Sequence, residues 1–594
     1  MRILAVTPSH NSTVAFLEDG EILDVISEEQ FTNIKNSTRF PLRSIQWILN
    51  QHKLSIEAID RLVVGQRMIW VLGPDDEGTQ YMAHYGQAKQ SLFRRVYEEI
   101  DFRWGTSPPI GSVIQAVNQF TFERNALKTQ AGFTELCERH LGIPAGKVRY
   151  LEHHDCHCFA SYYALRPVGD DSPALILSID GTGDLFCSQI STVQKGTWKL
   201  IARSFWKHSP GSLYARTTAI MGMKMLEHEY KVMGLAAYST DPKYFKPTKA
   251  RMFDGLIGLD ETGLEFRAKH PTYLIEKHLR KTIPYERFDN VAAALQTATE
   301  ELVEQWVRNA IAKTGIRNIY TTGGLFMNVK LNKKLQEMPE IERIHFLPSC
   351  GDESLPLGAA YKDYMDATGQ EPRPLKNLYL GTRYTRADIE AFIQEKQVQQ
   401  KYAITTPPSP NAHVAQLLAD GKVVARFCGR GEWGARGLGN RSILARPDRL
   451  ESFFEVNDRV KMRDFWMPFA PTILDKYADK YLVNPRSVNA PYMITAFDST
   501  VEGRDKFRAA IHQRDKTLRA QILRREHNPE YYDLIEQFAA ITGIGGVLNT
   551  SFNLHGYPLV SSLEQALFTI EGCYLDYLQI EDFLLEKKSQ RINF

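Results

Sequence analysis

Leu151-Glu152-His153-His154-Asp155-Cys156-His157-Cys158-Phe159-Ala160 is followed, thirteen residues on, by Ala174-Leu175-Ile176-Leu177-Ser178-Ile179-Asp180-Gly181-Thr182-Gly183-Asp184. The first run reads as a short helix after a loop. Residues four apart share a helix face, so His153 and His157 can each present a nitrogen to one cation. The second run is an apolar strand that closes on Asp-Gly-Thr-Gly. Turns so poor in side chains bare backbone N–H groups to an anion, which makes Gly181 and Gly183 candidates for binding one. Two imidazoles completed by oxygen ligands suit a divalent metal such as Fe, Mn or Zn. A polar surface helix followed by an ordinary turn would carry the same spacing. Cys156 and Cys158 are further candidate ligands, but they lie off the His153/His157 face.

Outward from this pair, toward the amino terminus, Ile3–Val6 reads as a buried strand and His10-Asn11-Ser12-Thr13 as a polar turn. Val14–Leu17 and Glu21–Ser27 read as two more strands joined at Asp19-Gly20, a tight hairpin signal. A three-stranded meander with a hydroxyl-rich first turn is how actin-type and sugar-kinase-type ATPase domains begin, with that turn near phosphate. His10 is either a plain turn residue or part of the chemistry. Phe40-Pro41 opens a helix over about 42–53, and Ile59–Gly65 reads as a strand. Residues 70–130 are aromatic and charged without a sharp motif, and are expected to be an irregular insertion that helps recognise an acceptor.

Toward the carboxyl terminus, Glu229 and Lys231 are two apart, so they share a face on a strand and not on a helix; a solvated ion pair is the alternative. Leu295, Ala298, Leu302 and Trp306 recur at helical spacing and read as core contacts. The strand Ile316–Thr322 runs into Gly323-Gly324 and then Asn328, a common cradle for an anion or nucleotide, although a tight turn looks the same. Asp352 follows a strand end, where it or Asp180 could complete a metal shell with His153 and His157. Glu371-Pro372-Arg373-Pro374 marks a linker, placed at 366–377. Beyond it, Arg430, Glu432, Arg436, Arg441 and Ser442 crowd a glycine-dense loop. Buried arginines need anionic partners, and phosphoryl oxygens fit the guanidinium fork; a solvated loop with internal salt bridges is the alternative. Lys461 and Arg463, if on a strand, reach one phosphate together. Arg519 lies in a third basic segment. Residues 529–540 read as a helix, and Asn549 and Asn553 end a strand in amides suited to a planar amide or a base. Residues 562–579 read as a closing helix and turn, and Lys587–Arg591 as a frayed tail.

The chain has 594 residues, more than one hydrophobic core usually serves, with 43% apolar and 24% charged residues and a formal charge of +2. That balance argues against a dedicated nucleic-acid binder. The seven cysteines form no disulfide-like framework, which points to a reducing compartment. No apolar run approaches the length that spans a bilayer, and Met1–Thr7 is too short an apolar start for a signal peptide. The expected location is cytoplasmic.

Taken in order, these motifs resemble the O-carbamoyltransferase family of nodulation-factor, cephamycin and tobramycin carbamoyltransferases. The signature reads His10 with Ser12, Glu28-Glu29, His153-His154-x-x-His157, Asp180-Gly-x-Gly, Glu229-x-Lys231, Gly323-Gly-x-x-x-Asn328, Gly351-Asp352, Gly429-Arg430-x-Glu432-x-Gly-x-Arg436 through Arg441-Ser442, Lys461-x-Arg463 and Asn549 to Asn553. The resemblance implies an α/β chain of two parts. Residues 1–365 would be an actin/sugar-kinase-like (ASKHA, Kae1-like) carbamoyl-transfer domain, and residues 378–594 a YrdC-like carbamoyladenylate-forming domain. It implies ATP, with Mg2+, and carbamoyl phosphate as co-substrates, and a metal, Fe2+ above others, on His153, His157, Asp180 and Asp352. His10 would serve the acceptor hydroxyl. Arg436, Arg441, Lys461, Arg463 and Arg519 would hold phosphates, and Asn549 and Asn553 the carbamoyl group or nucleotide. The expected partner is a hydroxylated small molecule, a natural product or sugar, with homodimerisation left open and neither nucleic acid nor membrane involved. The chain departs from the family pattern at Asn11, Met467, Tyr557 and the stretched His512-Gln513-Arg514-Asp515-Lys516-Thr517; all but Asn11 lie in the adenylate-forming half. Rival readings are a member that has lost or altered the adenylate step, and a non-catalytic nucleotide-binding protein.

Overall fold

Arg2–Thr7 (β1) and Thr13–Glu18 (β2) are almost wholly buried β-branched and aliphatic runs, and they pair antiparallel. Asp19 and Gly20, both at positive φ, turn the chain into Glu21–Ser27 (β3). Arg61–Val64 (β4) and Val148–Tyr150 (β5) then add parallel to β1, giving the order β3-β2-β1-β4-β5. The same pattern recurs. Ala174–Gly183 (β6), Phe186–Gln194 (β7) and Thr197–Phe205 (β8) form a second antiparallel meander. A short hairpin, Ile257–Leu259 (β9) with Phe266–Ala268 (β10), intervenes. Asn318–Thr322 (β11) and Arg343–Phe346 (β12) then add parallel to β6, in the order β12-β11-β6-β7-β8. Each meander thus opens a sheet whose fourth and fifth strands arrive by long crossovers. That places β6 and β11 side by side, with their carboxyl ends together.

The computed structural model describes residues 1–69, 92–107 and 109–588. Two expectations from the sequence fall partly outside them: the insertion at residues 70–91 and 108, and the tail at Ser589–Arg591. The described part of the insertion is not irregular. It forms the helices Leu92–Trp104 and Ile110–Leu141. The longer one exposes Val113, Val117, Phe120 and Leu127 on one side while burying Ile114, Phe122, Ala126, Phe133 and Cys137 on the other.

Two compact units divide the chain: Met1–Glu28 with Asn36–Leu375, and Glu29–Lys35 with the residues from Lys376 onward. The short outlier Glu29–Lys35 is bonded into the second unit, where Ser561 Oγ and Gln565 Nε2 both donate to Gln30 O. The expected linker start at 366 is corrected. Asp366–Thr368 is the last turn of helix Leu355–Thr368, which Gly369 ends at φ 68°. Positions like this one favour glycine because it has no Cβ. The residues after it are tied to the first unit: Arg373 N donates to Gly20 O and Leu375 N to Ala164 O.

The second unit is built on an eight-stranded mixed sheet. Its strands are Tyr402–Thr405 (β13), Val424–Phe427 (β14), Arg441–Ala445 (β15), Ala470–Leu474 (β16), Gln521–Leu523 (β20), Gly546–Ser551 (β21), Tyr577–Ile580 (β22) and Phe583–Lys587 (β23), in the order β13-β23-β22-β14-β15-β21-β16-β20. Leu482–Val483 (β17), Phe497–Ser499 (β18) and Thr517–Leu518 (β19) form a small separate sheet. The segment read as a closing helix and turn ends instead in β22, and Lys587 ends β23, so it is not frayed.

Candidate active site

Helix His153–Leu165 begins where Glu152 accepts the N–H of Asp155 as its cap. A second carboxylate also sits at this helix start. Asp184, just past β6, accepts the N–H of His153 (3.0 Å) together with those of Arg67 (3.0 Å) and Met68 (2.9 Å). The first turn of the helix is thereby fixed against the end of β6, where a helix N-terminus favours negative charge. Gly183 leaves the room, since a Cβ there would overlap the His153 ring.

His153 and His157 project from one face toward Asp180 at the end of β6 and Asp352 beyond β12. One ligand atom from each of the four lies within 4.8 Å of the others. His157 Nε2 is 3.0 Å from Asp180 Oδ2, and His153 Nε2 is 3.6 Å from Asp180 Oδ2 and 3.7 Å from Asp352 Oδ1. His153 Nε2 is buried and has no hydrogen-bond partner. Burial would strip the proton from His153, but Asp180 and Asp352 outweigh it and raise it to about 9. Burial, then the Asp180 charge, pushes Asp352 up to about 7. Asp180 itself stays well below the usual carboxylate range: burial opposes its charge, and the two imidazoles win. Burial lowers His157. Two half-buried carboxylates this close repel unless positive charge stands between them. Two imidazoles and two carboxylates are a donor set for a divalent transition metal, and an orphaned buried nitrogen aimed at the carboxylates fits one.

The other candidates in this unit fall into two groups. Ser9 Oγ donates to Asp352 Oδ2 at 3.4 Å, so the turn that carries His10 stands at the cluster. Asn11, the departure beside it, holds φ 57°, a conformation asparagine tolerates. Gly324 would carry a Cβ 3.1 Å from Asp180 Oδ1, and Gly323 takes φ 90° against the Ile179 carbonyl. Gly181 N donates to Asp180 Oδ1 (2.5 Å). These glycines let β11 and its turn close on Asp180. Asn328 is corrected: it caps helix Val329–Glu337 through Leu331 N (3.0 Å) and exchanges two amide bonds with Gln296. Glu229 and Lys231 lie on a helix, Glu229–Ala236, where they do not share a face. Glu229 accepts the N–H of Leu226 (2.7 Å), and burial raises it to about 7. Cys156 and Cys158 are buried and outside the cluster; the Cys156 carbonyl packs on Gly358 of helix Leu355–Thr368.

In the second unit, Glu432 is fully buried and its Oε1 accepts three N–H groups, from Leu438 (2.7 Å), Asn440 (2.8 Å) and Arg441 (3.1 Å). It shapes the loop that carries Arg436. Arg441 is corrected as a phosphate holder. Its two terminal nitrogens donate to the carbonyls of Cys428, Asn440, Thr382 and Gly429, and its guanidinium lies 3.7 Å over Phe427. Ser442 Oγ accepts from Gly439 N within the same loop. Lys461 and Arg463 are not on a strand. Lys461 ends a π-helical turn, Asn457–Lys461, and Met462 follows at φ 44°. Buried Lys461 Nζ meets Ser551 O (2.5 Å), Asn553 Oδ1 (2.6 Å), Asn553 O (3.0 Å) and Ser551 Oγ (3.3 Å). Burial, then Arg463, lowers it well below a usual lysine. Asn549 Nδ2 donates to Gly437 O (3.1 Å) while its Oδ1 stays buried without a partner. Gln521 Nε2 donates to Leu438 O, which brings the Arg519 segment to the same loop. The end of β21 therefore gathers Lys461 and Asn553, with Asn549 on the same strand. Arg436, Arg463 and Arg519 are half-buried, and Arg430 donates to the Leu380 carbonyl.

The family model described as Carbamoyltransferase N-terminus matches residues 2–361, and that described as Carbamoyltransferase C-terminus matches residues 415–587. The chain belongs to the carbamoyltransferase family. An uncharacterized protein of Methanocaldococcus jannaschii is 30% identical over 98% of this carbamoyltransferase and 99% of its own length. The nodulation protein NolNO of Sinorhizobium fredii is 28% identical over 98% of this chain and 79% of its own. Among solved structures, full-length HypF in a phosphate- and nucleotide-bound form aligns over 62% of this chain and 47% of that one, at 10% identity and a TM-score of 0.31. Among the described residues of this transferase no helix is long and apolar enough to cross a membrane. Sequence reasoning missed Asp184 as the anchor of His153, and Ser354, whose Oγ lies 3.1 Å from His157 Nδ1. Only the carboxylate closing the Asp-Gly-Thr-Gly-Asp run hinted at the first.

Proposed function

We propose that the enzyme is an ATP-dependent O-carbamoyltransferase that works in two steps. In the second unit, water converts carbamoyl phosphate to carbamate and phosphate, and a carbamate oxygen then displaces pyrophosphate from the α-phosphorus of ATP, giving carbamoyladenylate. In the first unit, a hydroxyl of a small natural product or sugar attacks the carbamoyl carbon and AMP leaves. The observation that carries this reading is the cluster of His153, His157, Asp180 and Asp352 within 4.8 Å. These four residues would hold a divalent cation, iron(II) being the ion that the family resemblance implies. Bound there, the cation would offset the charge of the adenylate phosphate.

The residues around it divide the remaining work. His10, in the turn anchored to the cluster through Ser9, takes up or orients the proton of the acceptor hydroxyl. Gly181, Gly323 and Gly324 let phosphate oxygens approach the end of β6. The helix Ile110–Leu141 holds the loop that caps Asp184, through Gln130 on Arg67 O and Thr129 on Ile69 N; it is the candidate acceptor-facing element. In the second unit, Arg436, Arg463 and Arg519 carry the phosphate contacts. Arg441 and Lys461 shape the loop and the end of β21 on which those contacts stand. A YrdC-like character for this unit belongs to the same reading.

The test is to incubate the full-length enzyme with ATP, carbamoyl phosphate and a panel of hydroxylated metabolites. Pyrophosphate is assayed, and products gaining one carbamoyl mass are sought by mass spectrometry. Pyrophosphate release is expected. Its absence would favour a member that receives a ready-made adenylate, and the absence of any carbamoylated product across a broad panel would count against O-transfer.

A further inference from the structure

His157 has two ring nitrogens and only one can carry the proton of the neutral imidazole. Nε2 faces Asp180 Oδ2 at 3.0 Å. Nδ1 faces two hydroxyls, Ser354 Oγ at 3.1 Å and Thr322 Oγ1 at 3.4 Å. His157, Ser354 and Thr322 are all fully buried, so no bulk water stands in for either hydroxyl. Ser354 occupies the three-residue turn Asp352–Ser354 and leads helix Leu355–Thr368. Its Oγ donates to Gly351 O at 2.8 Å. A hydroxyl has a single proton, and here it is committed to a carbonyl. Toward His157 the Ser354 oxygen can then only accept, and what it accepts is the Nδ1–H.

We infer that Ser354 holds His157 as its Nδ1–H tautomer when a cation occupies the site, leaving the Nε2 lone pair to ligate. This rests on the metal reading of the cluster. Without a cation, Nε2–H facing the Asp180 carboxylate is a favourable arrangement. Loading a cation needs that proton on Nδ1 instead, and the imidazole stays neutral throughout. Ser354 supplies the acceptor that makes the exchange affordable. It also binds the two halves of the cluster, because the turn that positions its Oγ begins with Asp352. Ser354 touches no reacting atom and is a positioning residue. Partners of this kind, which orient a ligating imidazole from its far nitrogen, change metal affinity by about 10–100-fold when removed.

The experiment titrates Co2+ into the metal-stripped full chain against a chromophoric chelator, and records the visible spectrum of the bound ion. Ser354→Ala is expected to bind Co2+ about 10–100-fold more weakly than the unaltered chain, with Ser354→Thr restoring most of the affinity. Ser161→Ala is the control. Ser161 is a fully buried serine on the same helix as His157, and its Oγ donates to Thr321 O (3.0 Å) away from the cluster. Losing that hydroxyl should leave Co2+ affinity within about two-fold, a change too small to be a lost ligand partner. Ser354→Cys keeps the volume but offers a poor acceptor; it carries the same expectation as Ser354→Ala and replaces it if the alanine variant does not fold. Tight Co2+ binding by the unaltered chain together with unchanged affinity in Ser354→Ala or Ser354→Cys overturns the role of Ser354 and leaves the metal site standing. No Co2+ binding by the unaltered chain overturns both.

Discussion

The two units handle buried charge in opposite ways. In the first, two imidazoles and two carboxylates face one another, and His153 Nε2 has no hydrogen-bond partner. In the second, Arg441 and Lys461 are as deeply buried, yet each is bonded to four protein oxygens and neither to a carboxylate. The same residue types that advertise a ligand site can be spent on the fold. What separates the cases is the partner set: the Arg441 and Lys461 charges rest on neutral protein oxygens, whereas the His153 and His157 imidazoles converge with two carboxylates on one point.

The largest effects should fall on the set of imidazoles and carboxylates. His153→Ala is expected to lower carbamoyl transfer by more than about 100-fold, beyond the range seen for outer-shell partners, while pyrophosphate release changes little. Equal loss of both activities would erase the division of labour between the units. Gly183→Ala, which drives a methyl into the His153 ring, should show the same pattern more weakly. In the second unit, Arg441→Met leaves several buried carbonyls without donors and should cost about 3 kcal/mol of stability, since each orphaned group costs on the order of 1–3 kcal/mol. Urea unfolding would read this. Arg436→Met should instead spare stability and slow pyrophosphate release by about 100-fold, the scale for removing one preorganised charge contact. If the two variants exchange behaviours, the assignment of Arg441 to the fold and Arg436 to the phosphate is wrong.

A smaller effect sharpens the contrast within the first unit. His208 is buried, pairs with no carboxylate among the described residues, and accepts the Ala268 N–H through Nδ1 (3.1 Å). Burial, and then Arg267 and Lys207, push it down to about 4, the reverse of His153. A histidine lowered in the folded state is protonated first in the unfolded chain, so stability falls as pH drops from about 6.5 toward 4. By pH 5 this group alone should remove about 2 kcal/mol, and His208→Gln should flatten that limb. Equal acid sensitivity in both proteins would mean that other groups carry the acid loss.

Much of this was legible in the chain. Helix periodicity put the i, i+4 histidines on one face with Asp180 or Asp352 as the oxygen ligand, the set of all four came from the family resemblance, and the first meander announced itself through short apolar runs and Asp19-Gly20. Other elements resisted. Helix Ile110–Leu141 carries apolar residues on both its buried and its exposed faces, so no amphipathic stripe marks it. Lys461 and Arg463 look like strand neighbours until Met462 takes a left-handed turn that no methionine advertises. Asn328 and Arg441 have the right chemistry for a ligand, and only three-dimensional partners show that the Asn328 amide and both terminal nitrogens of Arg441 are already bonded within the protein. The roles of Asp184 and Ser354 depend on single hydrogen bonds to residues remote in sequence, which spacing does not encode.

The most direct measurement strips the enzyme of metal with a chelator and follows pyrophosphate release and carbamoyl transfer in parallel, before and after a divalent cation is restored. The account predicts that stripping abolishes transfer, leaves pyrophosphate release nearly intact, and that the cation brings transfer back in the unaltered chain and not in His153→Ala. A stripped enzyme that still carbamoylates its acceptor at full rate would contradict it.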